Sequence, residues 1–238
     1  MKILRYGTVS STNTLAREYV KREGAELPAV FIAVGQTAGR GRRGRSFVSD
    51  EGMGLYLSFA FKPEKSVTPA DVTVRAAVAA VRAIKTAFGF SADVKWVNDI
   101  FYGGKKLGGI LAEGECDEEG KLAFAVLGIG VNLRKRAFSE ELVSVATTVE
   151  DVIGSVPDKE LFERELIKEF FAVLGEDSVI DEYRKSSVAL GQRVEVRRIS
   201  GESFFATAID VTEQGELIVL REDGEKEALF SAEISIRL

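Results

Sequence analysis

Histidine is absent from the 238 residues of this chain, and cysteine occurs once, at Cys116. Those two shortages together exclude disulfide frameworks, Cys-rich and His-based metal sites, Ser-His-Asp and Cys-His nucleophile systems, and imidazole acid–base catalysis. Cys116 itself reads as an inert buried thiol. No apolar run reaches the length of a membrane span, and the start M-K-I-L-R-Y-G-T-V-S has no signal-peptide core, so a soluble, cytoplasmic protein is expected. Positive charge is also in deficit: 32 Lys and Arg stand against 37 Asp and Glu, a net charge of -5. A surface built for nucleic acid or an anionic membrane leans the other way. What chemistry remains must use Lys, Arg, amides, carboxylates, backbone groups and magnesium held by oxygen.

Against that background one basic stretch stands out. Residues Gly35 to Phe47 read G-Q-T-A-G-R-G-R-R-G-R-S-F, in which Arg40, Arg42, Arg43 and Arg45 alternate with Gly39, Gly41 and Gly44. Glycine lets the backbone bend while guanidinium groups project, an arrangement suited to gripping anions. A solvated basic hairpin loop would look the same. The spelling G-x-G-x-x-G from Gly39 to Gly44 invites a dinucleotide-binding reading, but that fingerprint has to open a helix. Here R-S-F-V-S-D-E-G-M-G follows and leads into the alternating strand L-Y-L-S-F-A-F, so the Rossmann reading is rejected.

Elsewhere the pattern is mixed. Lys2 to Val9 and Ala29 to Val34 read as strands, with a short helix after Ser10-Ser11-Thr12-Asn13 that Gly24 stops. Leu55, Leu57, Phe59 and Phe61 share one strand face, opposite Tyr56, Ser58 and Ala60. Thr68-Pro69-Ala70-Asp71 opens a core helix that ends at Gly89. Asp93 to Tyr102, a strand after Gly103-Gly104, a polar turn at Asp117 to Gly120 and a strand ending in Gly128-Ile129-Gly130-Val131-Asn132 predict a three-stranded meander. Gly108-Gly109 inside it indicate close approach by a ligand or a neighbouring backbone. Helices are expected over Thr147 to Ile153, Asp158 to Leu174 and Asp181 to Ser187, and beyond Val188 four short strands predict a small β-barrel.

Four separated motifs then occur together: S-S-T-N at Ser10 to Asn13, Q-T-A-G-R-G-R-R-G-R at Gln36 to Arg45, K-W-V-N-D at Lys95 to Asp99 with K-K-L-G-G-I-L at Lys105 to Leu111, and G-I-G-V-N at Gly128 to Asn132. In this order they resemble the biotin protein ligase family. The resemblance implies an α+β catalytic domain over residues 1–187, with helices on a mixed, largely antiparallel sheet, and an SH3-like barrel over 188–238. It also implies the reaction: biotin and ATP give biotinyl-5'-adenylate and pyrophosphate, and a carrier lysine then takes the biotinyl group. Ser11, Thr12 and Gln36 match positions that hydrogen-bond the ureido ring, with Asn13, Gly39, Arg40, Arg42, Lys106 and Gly109 completing the biotin set. Arg40, Arg42, Arg43, Arg45, Phe47, Trp96, Asn98, Asp99 and Asn132 match the nucleotide side. Lys106 and Arg42 match the catalytic cations at the carboxylate–phosphate junction. No side-chain metal site is implied; magnesium would bridge the ATP phosphates. Val97 stands where the family commonly has proline, and Phe47 where it often has a tryptophan that stacks on adenine. The implied partner is the biotin carboxyl carrier protein of acetyl-CoA carboxylase or another biotin-accepting subunit, with no DNA, no membrane and a homodimer formed through sheet edges. The first motif begins at Ser10, so the winged helix that some members carry is not expected here. Three rival readings are a lipoate or octanoate ligase, a non-catalytic biotin-binding module and a non-specific nucleic-acid binder. Without a ligand, four like charges from Gly39 to Phe47 predict a mobile loop that orders over the adenylate.

Overall fold

A computed structural model describes residues 1–63, 68–116, 122–135, 138, 140–230 and 232–236, without the side chain of Cys116. The polar turn expected at Asp117 to Gly120 and the Cys116 thiol therefore lie outside the described residues. A seven-stranded sheet forms the body, in the order β1-β2-β3-β7-β6-β5-β4. Its strands are β1 (Lys2–Val9), β2 (Ala29–Gln36), β3 (Gly54–Phe61), β4 (Asp93–Lys95), β5 (Asp99–Tyr102), β6 (Lys105–Cys116) and β7 (Leu122–Asn132). Only β1 and β2 run parallel; the other neighbours are antiparallel.

The long helix α2 (Pro69–Phe88) forms where the capping signals put it. Thr68 accepts a hydrogen bond from the Asp71 backbone N–H, and Gly89 closes the helix at φ 78°. Leu55, Leu57, Phe59 and Phe61 of β3 point into the apolar core that this helix shares with α5 (Lys159–Gly175). Phe59 stacks on Phe170 of α5 with ring centroids 4.0 Å apart. Phe170 is fully buried, so Phe170→Ala is expected to destabilise the fold by about 3–5 kcal/mol in urea unfolding. A loss below about 1 kcal/mol would show that this packing is not limiting.

The other face of β3 is buried as well, because α1 (Thr12–Val20) lies across it and brings Ala16 against Phe31 and Ala60. Ser11 takes the N-cap position of α1 without a capping hydrogen bond. The expected Asp93 to Tyr102 strand is two strands: Lys95 pairs with Asp99, and Trp96, Val97 and Asn98 make the turn between them. Three groups from elsewhere in the chain hydrogen-bond that turn. Tyr183 Oη donates to the Val97 carbonyl at 3.2 Å, Trp96 Nε1 donates to the Gly215 carbonyl at 2.9 Å, and Asn98 Nδ2 donates to the Ile110 carbonyl at 2.9 Å. The Trp96–Val97 peptide is cis.

Past β7 come α3 (Glu140–Val143), a turn of helix absent from the sequence reading, then α4 (Val149–Ile153), α5 and α6 (Ile180–Ser186). Thr148 and Asp158 cap α4 and α5, so both begin within two residues of the expected starts. The C-terminal strands are β8 (Arg193–Arg197), β9 (Ser203–Val211), β10 (Leu217–Arg221), β11 (Lys226–Leu229) and β12 (Glu233–Ile236), all antiparallel in the order β11-β10-β9-β8-β12. The unforeseen one is β11, whose short, charged K-E-A-L carries little apolar alternation. Val194, Val196, Leu217 and Ile234 join the same apolar cluster as α2 and β3, so this unit shares the core of the body.

Candidate active site

A cavity of about 400 Å³ opens where the start of α1, the arginine loop, the Trp96–Asn98 turn, β6, β7 and β12 converge. Fourteen of the sixteen residues singled out in the sequence lie on its wall; Gly39 and Asn132 are the exceptions. Gly39 works through close approach, since a Cβ there would sit 2.4 Å from the Phe47 carbonyl oxygen. Asn132 is buried and donates to the Thr147 carbonyl at 3.2 Å, which ties the end of β7 to the segment before α4.

One end of the cavity is polar and neutral. Gln36 Oε1 accepts from the Thr12 backbone N–H at 2.8 Å, and Gln36 Nε2 donates to Ser49 Oγ at 2.9 Å. Beneath them Ser58 Oγ lies 2.7 Å from Thr12 Oγ1 and 2.6 Å from Asn13 Oδ1. Buried hydroxyls and amides stay buried at low cost only when bonded, and these are. A Cβ at position 128 would fall 2.3 Å from Asn13 Oδ1, so glycine in G-I-G-V-N makes room for the Asn13 side chain.

The other end is charged. Lys106 Nζ lies 2.6 Å from Asp99 Oδ1. Its own backbone is clamped on both sides, the N–H donating to Val145 O at 2.7 Å and the carbonyl accepting from the Thr147 N–H at 2.9 Å. Arg42 donates to Asn98 Oδ1 at 3.1 Å. Burial, then the neighbouring Arg43, lowers the Arg42 pKa, and Asp99 and Glu233 oppose that shift. Burial likewise lowers that of Lys95, against the pull of Asp99. The two cations therefore arrive on separate segments, each steered by a side chain from the K-W-V-N-D turn.

Acids meet the remaining arginines. Arg40 pairs with Glu113 at 2.9 Å, and Arg43 and Arg45 pair with Glu233 of β12 at 3.5 and 2.5 Å. The like charges of the loop are thus divided between two carboxylates from different elements. Arg43 adopts left-handed backbone, φ 56° and ψ 38°, which lets the loop reverse between Gly41 and Arg45. The Phe47 ring covers Gly130, where a Cβ would come within 2.6 Å, and lies edge-on to Tyr56 at 6.5 Å. Gly108 approaches the Gly130 carbonyl, and Gly109 borders the Lys106 side chain.

Sequence reasoning missed Ser58, Glu113 and Glu233 as partners of the site, and left Lys95 out of the site residues. Lys95 opens the K-W-V-N-D motif, so a signal for it was present. Ser58 read as one residue of an alternating strand, and Glu233 follows β11 in a segment remote from every motif.

The sequence model of the Biotin/lipoate A/B protein ligase family matches residues 6–132, and that of the Biotin protein ligase C terminal domain matches residues 189–237. Bifunctional ligase/repressor BirA of Bacillus subtilis is 30% identical, over 98% of this chain and 74% of its own length. Biotin--[acetyl-CoA-carboxylase] ligase of Mycobacterium tuberculosis is 31% identical, over 82% of this chain and 74% of its own. A solved biotin protein ligase from Aquifex aeolicus, in complex with biotin and ATP, superposes with a TM-score of 0.84 at 25% identity, covering 99% of this chain and 98% of that one. Matches along the body and the C-terminal strands, around a cavity with a neutral polar end and a cationic end, lead to one conclusion: the chain belongs to the biotin protein ligase family.

Proposed function

We propose that this protein joins biotin to ATP and passes the biotinyl group to a lysine of a carrier protein. The observation that carries the reading is the convergence of Lys106 and Arg42 on one cavity that also holds the Thr12–Gln36 pair. A carboxylate already lacks its proton, so the first step needs no base. What opposes it is repulsion between two anions. With the biotin ring held at the neutral end, its carboxylate oxygen attacks the α-phosphorus, the bond to the β-phosphate oxygen breaks, and pyrophosphate leaves. Lys106 and Arg42 stand where negative charge gathers during that exchange, and fixed cations lower its energy without reorganising. In the second step the neutral carrier amine attacks the acyl carbon, the bond from that carbon to the phosphate oxygen breaks, AMP departs with its electron pair, and the surplus amine proton passes to water.

Among the described residues no cluster of three or more His, Cys, Asp or Glu is placed to hold a metal ion. Magnesium usually keeps several waters and takes one or two carboxylates beside the substrate phosphates. Asp99 and Glu233 on the cavity wall fit that smaller demand, and the ion would neutralise phosphate charge. The biotin carboxyl carrier protein of acetyl-CoA carboxylase is the acceptor we propose, and β1 at the open sheet edge is the surface we propose for a homodimer. Among the described residues no helix is long and apolar enough to cross a membrane.

The test is exchange of labelled pyrophosphate into ATP with biotin or lipoate as the acid. Exchange with biotin alone supports the reading. Exchange with lipoate alone moves the protein to the neighbouring branch, a shift that the match of residues 189–237 to the Biotin protein ligase C terminal domain argues against.

A further inference from the structure

One cation on the cavity wall has no part in the chemistry set out above. We propose that Lys95 binds the pyrophosphate portion of ATP, so that the cavity holds a separate subsite for the leaving group beside Lys106 and Arg42. The inference rests on the biotin ligase reading and deepens it.

Lys95 has little freedom. On one side of β4 it pairs across the sheet with Asp99, and on the other the Val94 carbonyl accepts from the Val188 N–H at 3.0 Å. The next residue, Trp96, is buried and bonded to Gly215. Lys95 itself is half-buried, lines the cavity and sets its ammonium over the Phe101 ring, 5.5 Å from the centroid. Its cross-strand partner Asp99 is turned to Lys106, at 2.6 Å. Glu233 is turned to Arg43 and Arg45, and Arg197, another cation on the wall, lies 2.9 Å from Glu195. Among the described residues no hydrogen bond or ion pair takes up the Lys95 ammonium.

A charge drawn partly out of water without a partner costs free energy, and that cost falls when an anion arrives. Burial acts most strongly on Lys95, and Asp99, Lys106, Glu233 and Arg45 are the charges near enough to act on it. Both the Lys106–Asp99 pair and the Arg45–Glu233 pair therefore border it. Lys106 and Arg42 serve the junction of carboxylate and α-phosphate. When the bond from the α-phosphorus to the bridging oxygen breaks, its electron pair stays on that oxygen and the pyrophosphate gains negative charge. A fixed ammonium meets this charge without giving up a proton, and a compact lysine charge suits phosphate oxygens.

Reversal of the first step measures the subsite directly, because biotinyl-adenylate and pyrophosphate, with magnesium, give ATP and biotin. Lys95→Met keeps the stem over Phe101 and removes the charge; Lys95→Gln keeps a polar end. In both variants the KM for pyrophosphate should rise ten- to a hundredfold, with the KM for biotinyl-adenylate within threefold of wild type. Calorimetry should show ATP bound more weakly by a similar factor and AMP bound as before. Transfer from added biotinyl-adenylate to biotin carboxyl carrier protein involves no pyrophosphate and should stay within threefold, which a misfolded variant could not achieve. An unaltered KM for pyrophosphate in either folded variant overturns the assignment of Lys95 and leaves the ligase reading intact. Equal losses of AMP and ATP affinity place Lys95 on the nucleoside side and overturn it too. If wild type makes no ATP from biotinyl-adenylate, the ligase reading fails and this one with it.

Discussion

Replacing Lys106 with alanine is expected to lower biotin-dependent pyrophosphate exchange by about 10²–10³-fold, with the melting temperature nearly unchanged. The effect should be large for two reasons that add. The ammonium proposed to neutralise the reacting carboxylate and phosphate is lost. Asp99, which Lys106 holds at 2.6 Å, is then left facing incoming anions with its nearest cation removed. Stability should survive because the residue 106 position is held by backbone bonds to Val145 and Thr147 rather than by its side chain. Both kcat and the biotin KM should suffer, since the ammonium meets the carboxylate before and during the reaction. Exchange within threefold of wild type would remove Lys106 from the mechanism.

Arg42→Ala should reduce the rate of adenylate formation by about 10²-fold, and Arg42→Lys should recover little of it. Asn98 Oδ1 fixes one branch of the Arg42 guanidinium, which leaves the rest of the planar fork directed by geometry rather than by solvent. An ammonium has one charged centre on a flexible stem and cannot both meet Asn98 and bridge a carboxylate to a phosphate. Single-turnover formation of biotinyl-adenylate, followed by mass, separates this from an effect on release. If Arg42→Lys runs at wild-type rate, charge alone suffices and the orientation by Asn98 is irrelevant.

Much of the cavity wall was legible before any coordinates. Arg42, Lys106, Asn98 and Asp99 stand in motifs whose residue types match the charge of the reactants. What escaped were residues that act through others. Glu113 sits in β6 as an ordinary strand carboxylate until Arg40, Arg17 and Asn13 arrive from two distant segments. Ser58 alternates correctly in β3, and only the docking of α1 turns that position from a surface into a buried partner of Thr12 and Asn13. The stretch from Asp93 to Tyr102 divides into two strands at Trp96 to Asn98, where Tyr183, Gly215 and Ile110 hydrogen-bond the turn, and none of them is local to it.

By itself the sequence supplied the residue types that the chemistry can use. A chain without histidine, with a Gly–Arg loop and with Lys, Asp and amides in its motifs, offers cations and amides rather than imidazole, and residue types carry that information directly. It determined three helix starts too, because Thr68, Thr148 and Asp158 meet backbone N–H groups only three residues away. Only the tertiary structure decided which acid meets which arginine and that β12 closes the cavity with Glu233. Hydrogen bonds and ion pairs of that kind reach only about 3 Å, so they are set by where whole elements dock and not by the order of residues along the chain.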